Sequence, residues 1–315
     1  MRPAPFERFA GDGSGGLRAF VIGCGDIGRR VALLERQAGT SVSALARSAE
    51  SERRLGALGI ATVPGDLDNG ATLASLPVAG RILYYFAPPP ASGHGDPRLD
   101  AALAAIDPSR LPAVVVYIST SGVYGDCRGD WVTEAQPLNP QSERARRRAA
   151  AERTLRRWSE DSGGAIVILR VPGIYGPGRL PLEAIRSGRP LLREEESPYS
   201  NRIHAGDLAA ACFLAARRGR AGAAYNASDG HPTTMTDYFN RVADAAGLPR
   251  PPQIGMEEAR RVLPPALLSF LDESKRLDNR LLLEELGLQL RHPDLASGLA
   301  ACIAGAGETG FTPHR

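Results

Sequence analysis

Lysine is nearly missing from this chain. Lys275 stands alone among 38 basic residues, so chemistry that needs a side-chain amine has a single candidate. Cysteine is scarce and scattered: Cys24, Cys127, Cys212 and Cys302 include no C-x-x-C and no paired zinc-type spacing. That excludes a disulfide framework and a cysteine metal site, and it fits reduced thiols in a cytoplasmic protein. The five histidines form no H-x-x-x-H pair, so no metal is expected. No apolar run reaches the ~20 residues of a membrane span. Neither sign of charge dominates. The 38 basic and 35 acidic residues leave +3, too balanced to imply a nucleic-acid or membrane partner. Residues 1–16 lack a hydrophobic signal core and are rich in Gly and Pro; a disordered arm is expected there, not a targeting peptide.

Glycine, in contrast, is concentrated where it matters. Residues 18–28 read Arg-Ala-Phe-Val-Ile-Gly-Cys-Gly-Asp-Ile-Gly. The apolar run Ala19 to Ile22 predicts a buried strand that breaks at Gly23. Gly23, Gly25 and Gly28 then have the spacing G-x-G-x-x-G, and Ile27, Val31 and Leu34 continue with helical periodicity. Strand, tight turn and helix in this order suit a dinucleotide site. The first Gly permits the turn, the second lets a pyrophosphate approach the backbone, and the third lets helix and strand pack closely. The first helical turn, with Asp26 and Ile27, offers free N–H groups and a positive dipole end to the phosphates.

The rest of the chain alternates strands and helices. Further strands are predicted at Thr40 to Ala46, Ile60 to Val63, 81–87, 113–120, Ala165 to Val171 and 223–228. Helices are expected at 98–106, 141–160, Pro181 to Ser187 and Asp207 to Arg217, and the remainder from Thr234 reads as helical with Pro-rich joints. The alternation implies an α/β chain with a Rossmann-type doubly wound parallel sheet. The second strand ends at Arg47-Ser48, about 20 residues past the glycine loop, where an NAD site carries an acid and an Arg suits a 2′-phosphate. Arg47 and Ser48, helped by Arg53 or Arg54, therefore favour NADP(H) over NAD(H). The arginines of 141–160 read as a solvated face partly balanced by Glu143, Glu152 and Glu160. His204 reads as a packing or capping residue.

This order of motifs resembles the extended short-chain dehydrogenase/reductase family, the group that holds the NAD-dependent epimerases and dehydratases. Beyond the glycine loop, Gly65-Asp66-Leu67 resembles the family's loop after the third strand, where the Asp meets the adenine. Thr120-Ser121-Gly122-Val123-Tyr124-Gly125 resembles its active-site segment, Arg170 to Gly178 its Arg-Pro-x-x-Ile-Tyr-Gly-Pro-Gly stretch, and Asn201 to Ala209 its Arg-Ile-His-Val-Asp-Asp-Leu-Ala. Tyr225 to Asp229 looks like its late strand. The resemblance implies cofactor contacts from Asp66, Leu67, Ala87, Pro88, Pro172 and Ile174. Two departures stand out. Ile22 occupies the family's usual first glycine position, and the Tyr-x-x-x-Lys pair that moves the proton is missing. Near Pro140 the chain reads Pro140-Gln141-Ser142-Glu143-Arg144-Ala145-Arg146. It looks like an atypical branch.

Without that pair the candidate catalytic groups are Thr120 and Ser121 for a carbonyl oxygen, Tyr124 as the nearest phenol, and Ser142 with Arg146 one helical turn apart. Three functions are open: an NADP-dependent reductase of a small carbonyl substrate, a nucleotide-sugar epimerase or dehydratase, and a non-catalytic NADP(H) redox sensor. The expected organisation is a dinucleotide-binding part over 17–175, to which 205–230 returns. A smaller, mostly helical substrate-binding part is expected from 176–204 and 231–315.

Overall fold

The computed structural model describes residues 16–304; apart from Gly16, the expected N-terminal arm lies outside them. The seven expected strands form one parallel sheet. They are β1 (Arg18–Ile22), β2 (Ser41–Ala46), β3 (Ala61–Pro64), β4 (Ile82–Tyr85), β5 (Val114–Thr120), β6 (Ile166–Val171) and β7 (Ala224–Asn226). Their order across the sheet is β7-β6-β5-β4-β1-β2-β3. The order reverses between β1 and β4. That reversal opens a crevice beyond the carboxyl ends of the strands, the usual ligand site of such sheets.

Helices cover both faces, and the strand sequences show why. In β1, Ala19 and Val21 face one core while Phe20 and Ile22 face the other. In β5, Val114 and Val116 join the first core and Val115 and Tyr117 the second. A strand buried on both faces needs apolar residues at nearly every position, which is the pattern read from the sequence. Helices α1 (Asp26–Gln37) and α2 (Ala49–Gly56) follow β1 and β2, and α3 (Pro97–Ala104) and α4 (Glu143–Ser162) flank β5. The later helices include α5 (Leu182–Arg186), α6 (Ala205–Arg218) and α7 (Met235–Ala245). His204 caps α6 through its Nδ1, which accepts from the Gly206 N–H.

A separate, smaller hydrophobic core packs about Tyr175, Ile185, Tyr238, Val242, Leu295 and Leu299. One segment departs from the sequence division. Residues 231–315 were expected there, yet the helix Arg280–Leu286 puts Leu282 and Leu286 into the same core as α1 and α6. Its leucines match the apolar side of the sheet layer, and burying them there removes more apolar surface from water than exposure at the rim would.

One buried network ties the sheet together beneath its carboxyl edge. Glu152 on α4 is 1% exposed and Arg170 on β6 is 4% exposed. Arg170 Nη2 donates to Glu152 Oε2 at 2.9 Å, and Ser119 on β5 donates to Glu152 Oε1 at 2.5 Å. Arg170 Nη1 donates to the Tyr124 hydroxyl at 2.9 Å, and Tyr124 donates to Asn226 Oδ1 on β7 at 2.7 Å. Strands β5, β6 and β7 thus share one polar cluster. Removing one member leaves a buried charge without its partner. Glu152→Ala is expected to lower the free energy of unfolding by about 3–5 kcal/mol. Urea denaturation of both proteins checks this, and an unchanged midpoint with unchanged slope would remove the network from the fold's supports.

Candidate functional site

Three cavities run in series along the carboxyl edge of the sheet. The first, about 350 Å³, is lined by Gly23, Gly25, Arg47, Arg54, Asp66, Leu67, Ala87, Pro88 and others. The second, about 310 Å³, shares Pro88 with the first and adds Thr120, Arg144, Arg148, Pro172 and Ile174. The third, about 470 Å³, shares Thr120, Arg144, Pro172 and Ile174 with the second. The shared walls make one groove, running from the glycine loop to Thr120 and beyond.

At the glycine loop each glycine has a separate role. Gly23 sits at φ +85°, and a Cβ there would come within 2.4 Å of the Ala87 nitrogen on the neighbouring chain segment. A Cβ on Gly28 would meet the Gly23 carbonyl oxygen at 2.7 Å and Val21 Cγ1 at 3.3 Å, so this glycine lets α1 lie close on β1. A Cβ on Gly25 would meet nothing within 4 Å. Gly25 therefore does not serve packing. Its bare backbone faces open space at the start of α1, and that space fits a pyrophosphate on the helix N-terminus. Ile27 turns into the core beneath. Asp26 is engaged by Arg30 at 3.2 Å and by Arg179 at 2.5 Å. Burial opposes its ionisation, but those two guanidinium groups outweigh it and hold Asp26 below the usual carboxylate range.

The end of the groove beside β2 and β3 carries Arg47, 68% exposed, with Nη1 3.8 Å from Asp68 Oδ2. Arg98 already holds Asp68 through two bonds of 2.7 Å, which leaves the Arg47 fork open to solvent. Arg54 and Ser51 line the same cavity. Ser48 is the N-cap of α2, its hydroxyl accepting from the Ser51 N–H at 3.3 Å; Arg53 and Ser48 are not among the lining residues. Asp66 and Leu67 line the cavity, and Asp66 Oδ1 accepts from the Asp68 N–H.

At the far end, Thr120 and Ser121 come together in the third cavity. Thr120 Oγ1 accepts from the Gly122 N–H at 3.3 Å, capping the single turn Ser121–Tyr124. That bond uses a lone pair and leaves the hydroxyl proton to donate. The other three catalytic candidates are not brought there. Tyr124 is 1% exposed and its hydroxyl is spent on Arg170 and Asn226; burial pushes its pKa up to about 12. Ser142 is the N-cap of α4, accepting from the Ala145 N–H. Arg146 pairs with Glu143 on the exposed side of the helix. The reason is helical phase: 142 and 146 share one face of α4, and the groove meets another.

The face that meets the groove presents Arg144 and Arg148, at the same i, i+4 spacing as the missing pair. Arg148 Nη1 donates to the Ile118 carbonyl at 2.8 Å and the Tyr117 hydroxyl at 3.0 Å, which fixes the strand end that carries Thr120. The Arg144 guanidinium lies 3.9 Å from the centre of the Phe270 ring. The opposite wall comes from distant segments: Tyr199 to Arg202, Met235, Tyr238, Glu273 and Lys275. Lys275 Nζ and Glu273 Oε2 pair at 2.8 Å with both side chains nearly buried. The spacing of Arg144 and Arg148 and the singleness of Lys275 were both visible in the sequence. The location of Arg202 in the wall was not, since its motif marks the start of a helix.

With this geometry in place, the chain was compared with known proteins. Residues 98–228 match the model of the NAD dependent epimerase/dehydratase family. A 4-hydroxy-2-methyl-3-oxo-4-farnesyl-3,4-dihydroquinoline-1-oxide ketoreductase of Stigmatella aurantiaca is 28% identical over 251 residues, covering 74% of either chain. Protein YeeZ of Escherichia coli K12 is 30% identical over 200 residues, 62% of this chain and 63% of its own. A solved structure of a functionally unknown conserved protein from Silicibacter pomeroyi has 30% identity and a TM-score of 0.79, covering 92% of this chain and 99% of its own.

The two loop glycines separate packing from ligand approach. Gly23→Ala is expected to destabilise the fold by about 1–3 kcal/mol, because the added carbon meets backbone. Gly25→Val is expected to leave thermal unfolding unchanged and to abolish dinucleotide binding. Melting curves and calorimetric titration with NADPH check both, and wild-type affinity in Gly25→Val would place the pyrophosphate elsewhere.

Proposed function

Since the chain belongs to the NAD-dependent epimerase/dehydratase family, we propose that it is an NADP-dependent reductase of a small carbonyl compound. The observation that carries this reading is the continuous groove. It joins a glycine loop with open space over Gly25 to a cavity holding Thr120 and Ser121. A ketoreductase among the relatives supports the same class of reaction. The bound dinucleotide would supply the hydride. Gly23, Gly25, Arg47, Asp66, Leu67, Ala87 and Pro88 would hold its adenosine and phosphate end, and Pro172 and Ile174 would flank its nicotinamide end.

The protein's share is to orient the carbonyl and supply a proton. Thr120 donates its hydroxyl proton in a hydrogen bond to the carbonyl oxygen, with Ser121 beside it. As the carbon gains a hydride the oxygen gains negative charge, and such a donor is worth about 2.7–4 kcal/mol at that stage. The proton itself comes from Lys275, whose ammonium is held in the cavity wall by Glu273. The N–H bond breaks as the O–H bond of the alcohol forms. The neutral amine then recovers a proton from water. This reading favours turnover over the redox sensor. It also departs from the nucleotide-sugar chemistry of the wider family, whose Tyr-x-x-x-Lys positions here carry neither residue.

The test is NADPH oxidation across a panel of aldehydes and ketones. Turnover of one class is expected, with Thr120→Val and Lys275→Met each lowering kcat by about 100-fold or more while cofactor affinity holds. No oxidation with any compound would favour the sensor. Cofactor that survives purification and is visible by absorbance would favour the epimerase.

Cofactor choice rests on Arg47. A guanidinium can pair bidentately with a 2′-phosphate. NADPH is expected to bind more tightly than NADH, and Arg47→Asp to reverse the order, because it replaces an attraction with a repulsion. Calorimetric titration of both cofactors against both proteins decides it. Equal affinities in the unmutated protein would assign the chain to NAD.

A further inference from the structure

Arg202 is an unusual wall for a substrate cavity. Its side chain is 94% buried by the fraction of surface it loses, being 6% exposed. Among the described residues no carboxylate pairs with it, and its Nε has no hydrogen-bond partner. Nη1 donates to the Asn201 carbonyl at 2.9 Å, and Nη2 reaches only Met235 Sδ at 3.4 Å. The Tyr238 ring lies 4.1 Å from the guanidinium carbon. Buried charges in folded proteins are paired, because an unpaired one forfeits its hydration without return. Asp229 acts on Arg202 electrostatically but makes no salt bridge with it. Its Oδ2 is also buried without a partner, and burial pushes its pKa up to about 7.

The other cations of the cavity are accounted for. Lys275 is held by Glu273, and Arg179 by Asp26. Arg144 lies against Phe270 and feels the field of Glu273. Glu273 keeps its second oxygen, Oε1, buried and bare. Among the described residues, Arg202 is therefore the cavity's one buried cation without an ion pair; it feels the charge of Asp229 without a hydrogen bond to it. That balance suits a single anionic group, planar enough to take the guanidinium edge of Nε and Nη2.

Building on the reductase reading, we infer that Arg202 is the receptor for a carboxylate on the substrate, and that the substrate class is a small oxo acid. The carboxylate docks on Arg202 and stacks beside Tyr238, while the carbonyl reaches Thr120 across the same cavity.

The test measures binding, so it does not depend on turnover. The full chain, loaded with NADP⁺, is titrated by calorimetry with pyruvate, acetoacetate and 2-oxoglutarate, with the methyl esters of the first two, and with UDP. At least one oxo acid is expected to bind, at least about 30-fold more tightly than its ester where that ester is in the panel, and Arg202→Met is expected to abolish the difference. Arg202→Lys keeps the charge but loses the fork, and an intermediate loss is expected of it; if the Met variant does not fold, the Lys variant decides. Acid and ester binding alike, undiminished oxo-acid binding in the Arg202 variants, or binding of UDP alone would each overturn the inference. Oxo-acid binding that depends on Arg202 without NADPH oxidation would sustain the inference and overturn the reductase reading instead.

Discussion

Everything at the site rests on one buried ion pair. Glu152 and Arg170 are both shielded from water, and their mutual attraction offsets the hydration each has given up only because the remaining polar atoms are also satisfied. Ser119, Tyr124, Asn226 and a carbonyl of Glu134 provide that satisfaction. The cluster lies one residue before Thr120 on β5 and two before Pro172 after β6. The strand ends that carry Thr120 and Pro172 are thus anchored to the same charge pair. This arrangement also explains the fate of Tyr124. Its hydroxyl is a structural part of the cluster, so it is not available to a ligand.

The sheet was legible in the sequence because physics leaves few options for a parallel strand buried on both faces. Val114 to Ile118 could hardly be read otherwise. The glycine loop was legible for a different reason: Gly23 and Gly28 answer backbone demands that other residues cannot meet. What escaped was of two kinds. Ser142 and Arg146 were chosen from spacing, yet spacing does not fix helical phase, and the groove meets Arg144 and Arg148. Tyr124 was chosen from a motif, and a motif places a backbone without saying which neighbours claim the side chain.

The second wall of the cavity shows a further limit. Arg202, Tyr238, Phe270 and Lys275 are separated by long stretches of chain, and the pairing of Arg276–Leu277 with Trp131–Val132 beside the main sheet helps to place Lys275 among them. Asn201 reinforces this closure, its amide donating to the Lys275 carbonyl at 2.9 Å and accepting from the Leu277 N–H at 2.8 Å. No local periodicity announces a contact between residues so distant in sequence. Composition left one trace of it, since the chain's single lysine lies here.

That single lysine has a practical side. An amine-acylating reagent has one side-chain target on this chain, nearly buried in the wall of the third cavity and paired with Glu273. Mass added at residue 275 would therefore report an opening of that buried pair.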